Sequence, residues 1–173
     1  GHPRALDIFV PKRADSAAPC ERAVVVYSLQ ARIKLRLATF INELFELFEG
    51  TASSVKADDD IIIILNEAYQ DAFDKEALRQ WQAYKRRITF FHIKQVVVHL
   101  GRHVLVPPHR KLSADEVKTE MARLHVTQKS QLPLIKHHDI QARLLGLVPG
   151  DVVEILRPSP TAGIARQLRI CAA

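Results

Sequence analysis

Residues 58–65 read Asp-Asp-Asp-Ile-Ile-Ile-Ile-Leu, and this stretch decides the fold of the first part of the chain. Its five apolar residues are too few for a helix, and a run without polar alternation is typical of a strand covered on both faces, as in a parallel sheet. The three aspartates that precede it predict a solvated loop that protects the end of an apolar strand. A site for a divalent ion is the alternative interpretation of the same carboxylates.

The segments on either side of this strand complete an α/β pattern. Apolar residues recurring every three or four positions predict two helices, and β-branched runs predict three further strands. These elements lie at residues 23–27 (strand), 32–48 (helix), 70–85 (helix), 88–93 (strand) and 95–99 (strand). Gly50 is placed to end the first helix, before a surface loop. The order predicts a compact α/β domain, β-α-β-α-β with one more strand, within residues 1–100.

The second predicted helix ends in a basic cluster, Lys85-Arg86-Arg87. Its apolar residues are expected to face the core; they are Phe73, Ala77, Leu78, Trp81 and Tyr84. Cations in a last helical turn complement the helix dipole, so the cluster has a structural explanation. Phosphate contact is the alternative, since DNA binding needs several cations on one surface.

The pattern changes at Gly101, and residues 101–173 predict a second, small mixed domain. Pro107 and Pro108 are expected to end an extended segment at residues 103–106. Ser113 begins a short helix with a capping box, and Val117, Met121 and Leu124 form its apolar stripe.

The remaining elements of this second part are short. Residues 131–135 are expected to be extended, and Asp139 caps a short helix that Gly146 ends. Residues 152–156 and 166–171 predict the two strands of a hairpin. The fold class is therefore mixed α/β, with an α/β domain followed by a small mixed module built on a hairpin.

Composition and charge limit the classes of function. The 173 residues are 47% hydrophobic and 25% charged, which is typical of a folded protein. The net charge is +6, and residues 101–173 carry +5 of it, which favours an acidic partner such as nucleic acid or an acidic protein surface. The only cysteines, Cys20 and Cys171, exclude a disulfide framework and a cysteine zinc site.

No apolar run approaches the ~20 residues of a membrane span, so we expect a soluble intracellular protein with no membrane partner. The first residues, Gly-His-Pro-Arg, lack a Met and are interpreted as a processed or tagged end.

No set of residues in the sequence predicts catalysis. The histidines at positions 99, 103, 109, 137 and 138 suggest a metal site, but their spacings fit no common zinc arrangement. The six glycines are isolated, so no phosphate-binding loop can be placed. We therefore predict no active site, no metal and no cofactor.

The most specific stretch is an ordered set of motifs in the second part. It comprises His103-Val-Leu-Val-Pro-Pro-His109, Gln131-Leu-Pro133, Asp139, Gly146, Gly150-Asp-Val-Val153 and Arg157-Pro-Ser-Pro-Thr-Ala-Gly163. Over residues 103–171 this set resembles the subunit-five/subunit-H family of cellular DNA-dependent RNA polymerases. Residues 1–100 resemble the eukaryotic N-terminal extension of that family, the "jaw" domain, in the order of their elements.

The resemblance implies a non-catalytic polymerase subunit that acts in transcription in the nucleus. Its C-terminal module is expected to dock on the largest subunit and to support assembly with other polymerase subunits, while the jaw lies near downstream DNA. The residues implied in partner binding are His103, Pro107, His109, Pro133, Asp139, Arg157, Pro158, Ser159, Thr161, Gly163 and Arg169. Two of them, Arg157 and Arg169, are expected to contact a carboxylate of the partner. Local turn chemistry is the alternative explanation for each glycine and proline. A jaw is absent from archaeal members, so the resemblance implies a eukaryotic or large-virus protein.

Two departures from the family pattern affect these expectations. Leu168-Arg169 stands where the family usually has Tyr-Arg, so one polar group is missing. Residues 66–70, Asn-Glu-Ala-Tyr-Gln, stand where the jaw turn usually reads Thr-Pro-Ser-Ala, and the Glu67 carboxylate would repel phosphate. The candidates for proximity to DNA are therefore Lys85, Arg86 and Arg87. A free-standing basic nucleic-acid-binding protein, or a polymerase-like scaffold in another complex, remains the alternative function.

Overall fold

The computed structural model of the chain describes residues 8–11, 22–28, 33–46 and 59–173, which divide between two compact units, residues 1–98 and 99–173. The strands are β1 (Ile8–Pro11), β2 (Arg22–Ser28), β3 (Asp60–Leu65), β4 (Arg87–His92), β5 (His109–Lys111), β6 (Leu134–Lys136), β7 (Val152–Ser159) and β8 (Gly163–Ala172). The α-helices are α1 (Leu37–Glu46), α2 (Asp71–Tyr84), α3 (Ile93–Val97), α4 (Ala114–Arg123) and α5 (Ile140–Leu144). Single 3-10 turns lie at Ile33–Arg36, Leu100–Arg102 and Lys129–Gln131.

The first unit contains one four-stranded sheet in the order β1-β2-β3-β4. β2, β3 and β4 are parallel, and β1 joins β2 as an antiparallel strand. α1 and α2 bury their apolar stripes against one face of the sheet, and Phe73 packs its ring 5.4 Å from that of Phe90. Ile61, Ile63 and Leu65 point into this core, while Ile64 is buried on the opposite face. The predicted parallel strand covered on both faces is thus confirmed.

Two predictions about the second helix and the strand after it are wrong. Tyr84 is 57% exposed, and Gln80, one turn before it, occupies the buried position. Residues 95–99 do not form a strand, because residues 93–97 form the one-turn helix α3. Its cap explains the difference, since His92 Nδ1 accepts the N–H of Lys94 and Gln95 Oε1 accepts the N–H of His92. These local hydrogen bonds outweigh the strand propensity of the valines that follow.

The sequence predicted that the aspartates at the start of β3 form a solvated loop, and for the two that the structure describes this prediction is wrong. Asp59 is 2% exposed, and Arg22 Nε donates to both of its carboxylate oxygens at 3.0 and 2.9 Å. Asp60 pairs with Arg87 at 3.4 Å, so both carboxylates are matched by cations of the neighbouring strands. Asp58, together with Gly50, Cys20 and the first residues of the chain, lies outside the described residues.

The second unit is built on the β7–β8 hairpin, in a sheet ordered β5-β7-β8-β6. α4 covers one face, where Val117 packs with Val152 and Leu168, and α5 covers the other, where Ala142 packs with Val153. The predicted mixed module around a hairpin is confirmed, although its strands are longer than expected and β5 was not predicted. Residues 103–106 form a turn rather than an extended segment, because the N–H of Val106 donates to the carbonyl of His103 at 2.9 Å. Among the described residues, no helix has the length and apolar character needed to cross a bilayer.

Candidate docking interface

A buried carboxylate organises the second unit. Glu154 lies on β7 opposite Arg110 of β5, and its side chain is only 6% exposed. Arg110 donates from Nε and from a terminal nitrogen to Glu154 Oε2, at 3.0 and 2.9 Å. Arg166 of β8 donates from Nε to the other oxygen, Oε1. Two guanidinium groups therefore compensate for removing this charge from water.

The same arginines link the sheet to α4. Arg110 also donates to Glu116 at 2.5 Å, and Arg166 donates to Glu120 at 2.8 Å. The hydrogen bond from Arg110, helped by the N–H of Ser113, lowers the pKa of Glu116 to about 2. The pKa of Glu120 is lowered chiefly by its hydrogen bond from Arg123. We call these six alternating Glu and Arg residues the charge ladder, and it fastens α4 to the hairpin.

The charge ladder was missed in the sequence. Its members are distant along the chain, because Arg110 and Glu154 are 44 residues apart. The one available signal was Glu154 itself, a charged residue inside an otherwise apolar strand, Val152-Val-Glu-Ile-Leu156. A charge at such a position is rarely buried unless it is paired, so it predicts a cation on a neighbouring strand.

Several predicted docking residues shape local turns. Asp139 caps α5 by accepting the N–H of Gln141 at 2.8 Å. His109 Nδ1 contacts the carbonyl of Pro107 at 2.6 Å, and His103 Nδ1 accepts the N–H of Leu105. These contacts support the alternative explanation that such residues serve the fold, since they leave fewer polar atoms available for a partner.

The turn between β7 and β8 has its own internal contacts. Ser159 Oγ lies 3.3 Å from Thr161 Oγ1 and accepts the N–H of Ala162. Gly163 has φ +67, a conformation that side-chain-bearing residues rarely adopt. Ser159, Thr161 and Gly163 of the loop motif therefore shape the turn of the hairpin, and the turn in turn positions the residues on either side of it.

Arg157 and Pro158 are exposed next to this turn, at the end of β7. No hydrogen bond or ion pair joins the side chain of Arg157 to any residue that the structure describes, although its backbone pairs with Ala165 in the hairpin. The exposed apolar residues Leu156 and Ile164 flank Pro158, and Pro158 pairs directly with Ile164 across the hairpin. This end of the hairpin, residues 156–159 and 163–166, is called the hairpin end below.

Arg169 lies on β8 away from the turn, opposite Val153 of β7. One of its terminal nitrogens donates to the carbonyl of Leu134 at 3.1 Å, while its buried Nε has no hydrogen-bond partner among the described residues. Its neighbour Leu168 is 5% exposed and packs with Val152 and Val117. The leucine at the position where the resemblance implied a tyrosine therefore lies in the core facing α4.

In the first unit, the basic cluster at the end of α2 lies against aromatic rings. Lys85 adopts φ 57 at the C-cap, and its Nζ lies 5.2 Å from the centre of the Trp81 ring. The Arg86 guanidinium lies 3.8 Å from the centre of the Phe45 ring. Arg87 is matched by Asp60, as described above. Stacking leaves the positive charge of Lys85 and Arg86 in place, so these two keep the chemistry that phosphate contact needs.

The turn at residues 66–70 holds the start of the first helical segment. Glu67 Oε1 accepts the backbone N–H of Lys34 at 3.1 Å, and Lys34 Nζ donates to Gln70 Oε1 at 2.5 Å. A carboxylate at the N-terminus of a helical segment is favourable, because unpaired N–H groups point there. Glu67 thus has a structural role at the position where the resemblance implied contact with DNA.

The histidines that the structure describes do not form a metal centre with one another. In the described parts of the chain, no three His, Cys, Asp or Glu side chains lie close enough to hold a metal ion. His137 and His138 pack edge to face, with ring centres 5.5 Å apart.

Comparison with known proteins matches the second unit most fully. The family model described as RNA polymerase Rpb5, C-terminal domain, matches residues 98–171. The DNA-directed RNA polymerase subunit Rpo5 of Pyrococcus abyssi is 46% identical over 72 residues, which are 42% of this chain and 87% of that protein. The subunit rpabc1 of DNA-directed RNA polymerases I, II, and III of Dictyostelium discoideum is 39% identical over 101 residues, 57% of this chain and 50% of that protein. The match thus spans most of the archaeal relative and about half the length of the Dictyostelium one.

Proposed function

Because the chain belongs to the RNA polymerase Rpb5 family, we propose that it is a non-catalytic subunit of a nuclear DNA-directed RNA polymerase. The second unit, residues 99–173, docks on the largest subunit and supports assembly with the other subunits. The first unit, residues 1–98, acts as the jaw near downstream DNA.

The observation that carries the docking proposal is the exposed Arg157 at the hairpin end. It belongs to the motif Arg157-Pro-Ser-Pro-Thr-Ala-Gly163, and among the described residues nothing neutralises it. The cations of the charge ladder, by contrast, already have carboxylate partners within the unit. An exposed arginine beside apolar side chains matches the composition of protein interfaces, where arginine is enriched.

The test is co-purification of the tagged chain with polymerase from its own source. We expect the largest subunit to be recovered, and Arg157→Glu to reduce that recovery about tenfold or more, because a reversed charge faces a partner carboxylate. Lys136→Glu is the matched control, since Lys136 is also exposed on a strand of the second unit. Recovery of no polymerase subunit by the unaltered chain would reject the proposal, and equal recovery of both variants would remove Arg157 from the interface.

The stacked cations Lys85 and Arg86 support the proposed proximity of the jaw to DNA. Replacing both with alanine should weaken binding of the assembled polymerase to downstream duplex and reduce its salt dependence, because fewer phosphate counterions are released. The alternative, a free-standing nucleic-acid-binding protein, predicts tight and steeply salt-dependent binding by the isolated chain. The jaw role would be favoured if the isolated chain binds DNA weakly and polymerase assembled with the double alanine variant binds the downstream duplex less tightly than unaltered polymerase.

A further inference from the structure

One edge of β8 is paired along only part of its length. β6 pairs with residues 170–172 of β8, and the ladder ends where the N–H of Ile170 donates to the carbonyl of Pro133 at 2.9 Å. Continuing the ladder would require an N–H from residue 133 for the carbonyl of Leu168, and proline has none. Pro133 therefore leaves the edge of β8 before Ile170 without a neighbouring strand among the described residues.

The backbone groups on this edge belong to alternate residues of β8. The N–H of Cys171 points towards the β7 side and donates to the carbonyl of Asp151, whereas the N–H of Ile170 points towards β6. By this alternation, the N–H and C=O of Arg166 point to the open edge. No described residue forms a hydrogen bond to either group, so Arg166 presents an available donor and acceptor.

The opposite edge of the hairpin is protected. β5 ends early along β7, and the last hydrogen bond on that side runs from the N–H of Leu156 to the carbonyl of Pro108. The next outward-pointing position of β7 is Pro158, which has no N–H to offer. The hairpin therefore blocks strand pairing at one edge and permits it at the other.

The side chains beside the open edge define what it would accept. On the face covered by α4, Ile164 is 68% exposed and adjoins Pro158. Arg166 lies on the same face, but its charge is already matched by Glu154 and Glu120, so the unpaired surface there is apolar. On the face covered by α5, Arg169 of β8 and Arg157, which lies one strand away on β7 opposite the small Ala165, make the side cationic. A strand presents alternate residues to opposite faces, so the matching segment alternates apolar and acidic side chains.

We propose that the open edge of β8, residues 164–168, pairs with an extended segment of a partner polymerase subunit. That segment adds a fifth strand to the sheet, with its apolar side chains against Ile164 and its carboxylates towards Arg157 and Arg169. The inference rests on the proposed function and specifies how the docking is made. Main-chain hydrogen bonds supply affinity, and the two flanking faces supply the register and the choice of partner.

Hydrogen exchange of the full chain, free and in the co-purified polymerase, tests this pairing. The amide of Arg166 should exchange at least tenfold more slowly in the complex, because its N–H becomes a hydrogen-bond donor. A complex in which the Arg166 amide exchanges as fast as in the free chain would overturn strand addition and leave the docking proposal standing. Failure to form a complex would overturn both.

A backbone change provides the second test and leaves every side chain of the charge ladder in place. Ligation at Ala165→Cys joins residues 1–164 to a synthetic segment in which the nitrogen of Arg166 is methylated. This removes one outward donor and no hydrogen bond within the described chain, so far-UV circular dichroism should be unchanged. Affinity for the polymerase should fall about tenfold or more relative to the same ligated chain with N-methyl Ala173. Equal affinity of the two ligated chains would contradict the proposal.

Discussion

Replacing Glu154 with alanine should destabilise the second unit, because Glu154 is the central carboxylate of the charge ladder. The substitution removes three charge-assisted hydrogen bonds, two from Arg110 and one from Arg166. Each such bond contributes about 1.5–3 kcal/mol in a buried setting. The arginine side chains are 53% and 37% exposed, so both regain water when the carboxylate is lost. We therefore expect the free energy of unfolding to fall by about 2–3 kcal/mol, below the ~3–5 kcal/mol of a fully buried pair.

The positions of the aromatic residues allow unfolding of the first unit to be followed separately from unfolding of the second. The single tryptophan, Trp81, and every tyrosine and phenylalanine precede residue 99, so fluorescence reports the first unit alone. Urea titration of the Glu154→Ala variant by far-UV circular dichroism should show an earlier transition that Trp81 fluorescence does not show. Asp115→Ala is the control, because Asp115 is exposed and its pair with Lys118 should contribute little. An unchanged transition in Glu154→Ala, or an equal shift in the control, would refute the assigned role of the charge ladder.

Three further predictions concern the second unit. Because Arg110 holds the pKa of Glu116 at about 2, below its ordinary 4.5, the stabilisation by ionised Glu116 is present above pH 4.5 and lost towards pH 2. The urea midpoints of Glu116→Gln and the unaltered chain should therefore differ at pH 7 and converge near pH 2, and a gap independent of pH would contradict this. Gly146→Ala should cost about 1–2 kcal/mol in urea titration, because φ at residue 146 is +60 although a Cβ would meet no atom within 4 Å; an unchanged midpoint would show the turn to be unstrained. Burial raises the pKa of the Cys171 thiol to about 11, so in a Cys20→Ser variant a disulfide reagent at neutral pH should label Cys171 only in urea; rapid labelling of the folded chain would disprove that burial.

Features encoded by neighbouring residues were predictable from the sequence. The capping box at Ser113 and the cap at Asp139 are where the residue pattern placed them, since a cap is a contact over two or three positions. The apolar stripe of α1 and the isoleucine strand β3 were likewise recognisable, because burial of a helix face or a strand leaves a period in the sequence.

Features that depend on the register between distant segments were not predictable. β1 and β5 are three or four residues long, too short to show a period, and they are strands only because β2 and β7 lie beside them. The charge ladder has the same origin, as Glu154 meets Arg110 through strand pairing. For the proposed docking residues, the sequence identified the hairpin motif but could not separate exposed Arg157 from the turn-forming Ser159 and Gly163.

The position of β8 in its sheet also determines when the second unit can form. β8 is the latest of the four strands in the chain, yet it lies between β7 and β6 and pairs with both. During synthesis, β6 is made well before β8, the strand it pairs with among the described residues, and that pairing is complete only when residue 172 has been added. The first unit completes its sheet at residue 92 and can fold as the rest of the chain is made. The unit proposed to dock on the polymerase is thus the later to mature, and a chain interrupted before residue 163 would lack the strand that joins β6 to the β5–β7 pair.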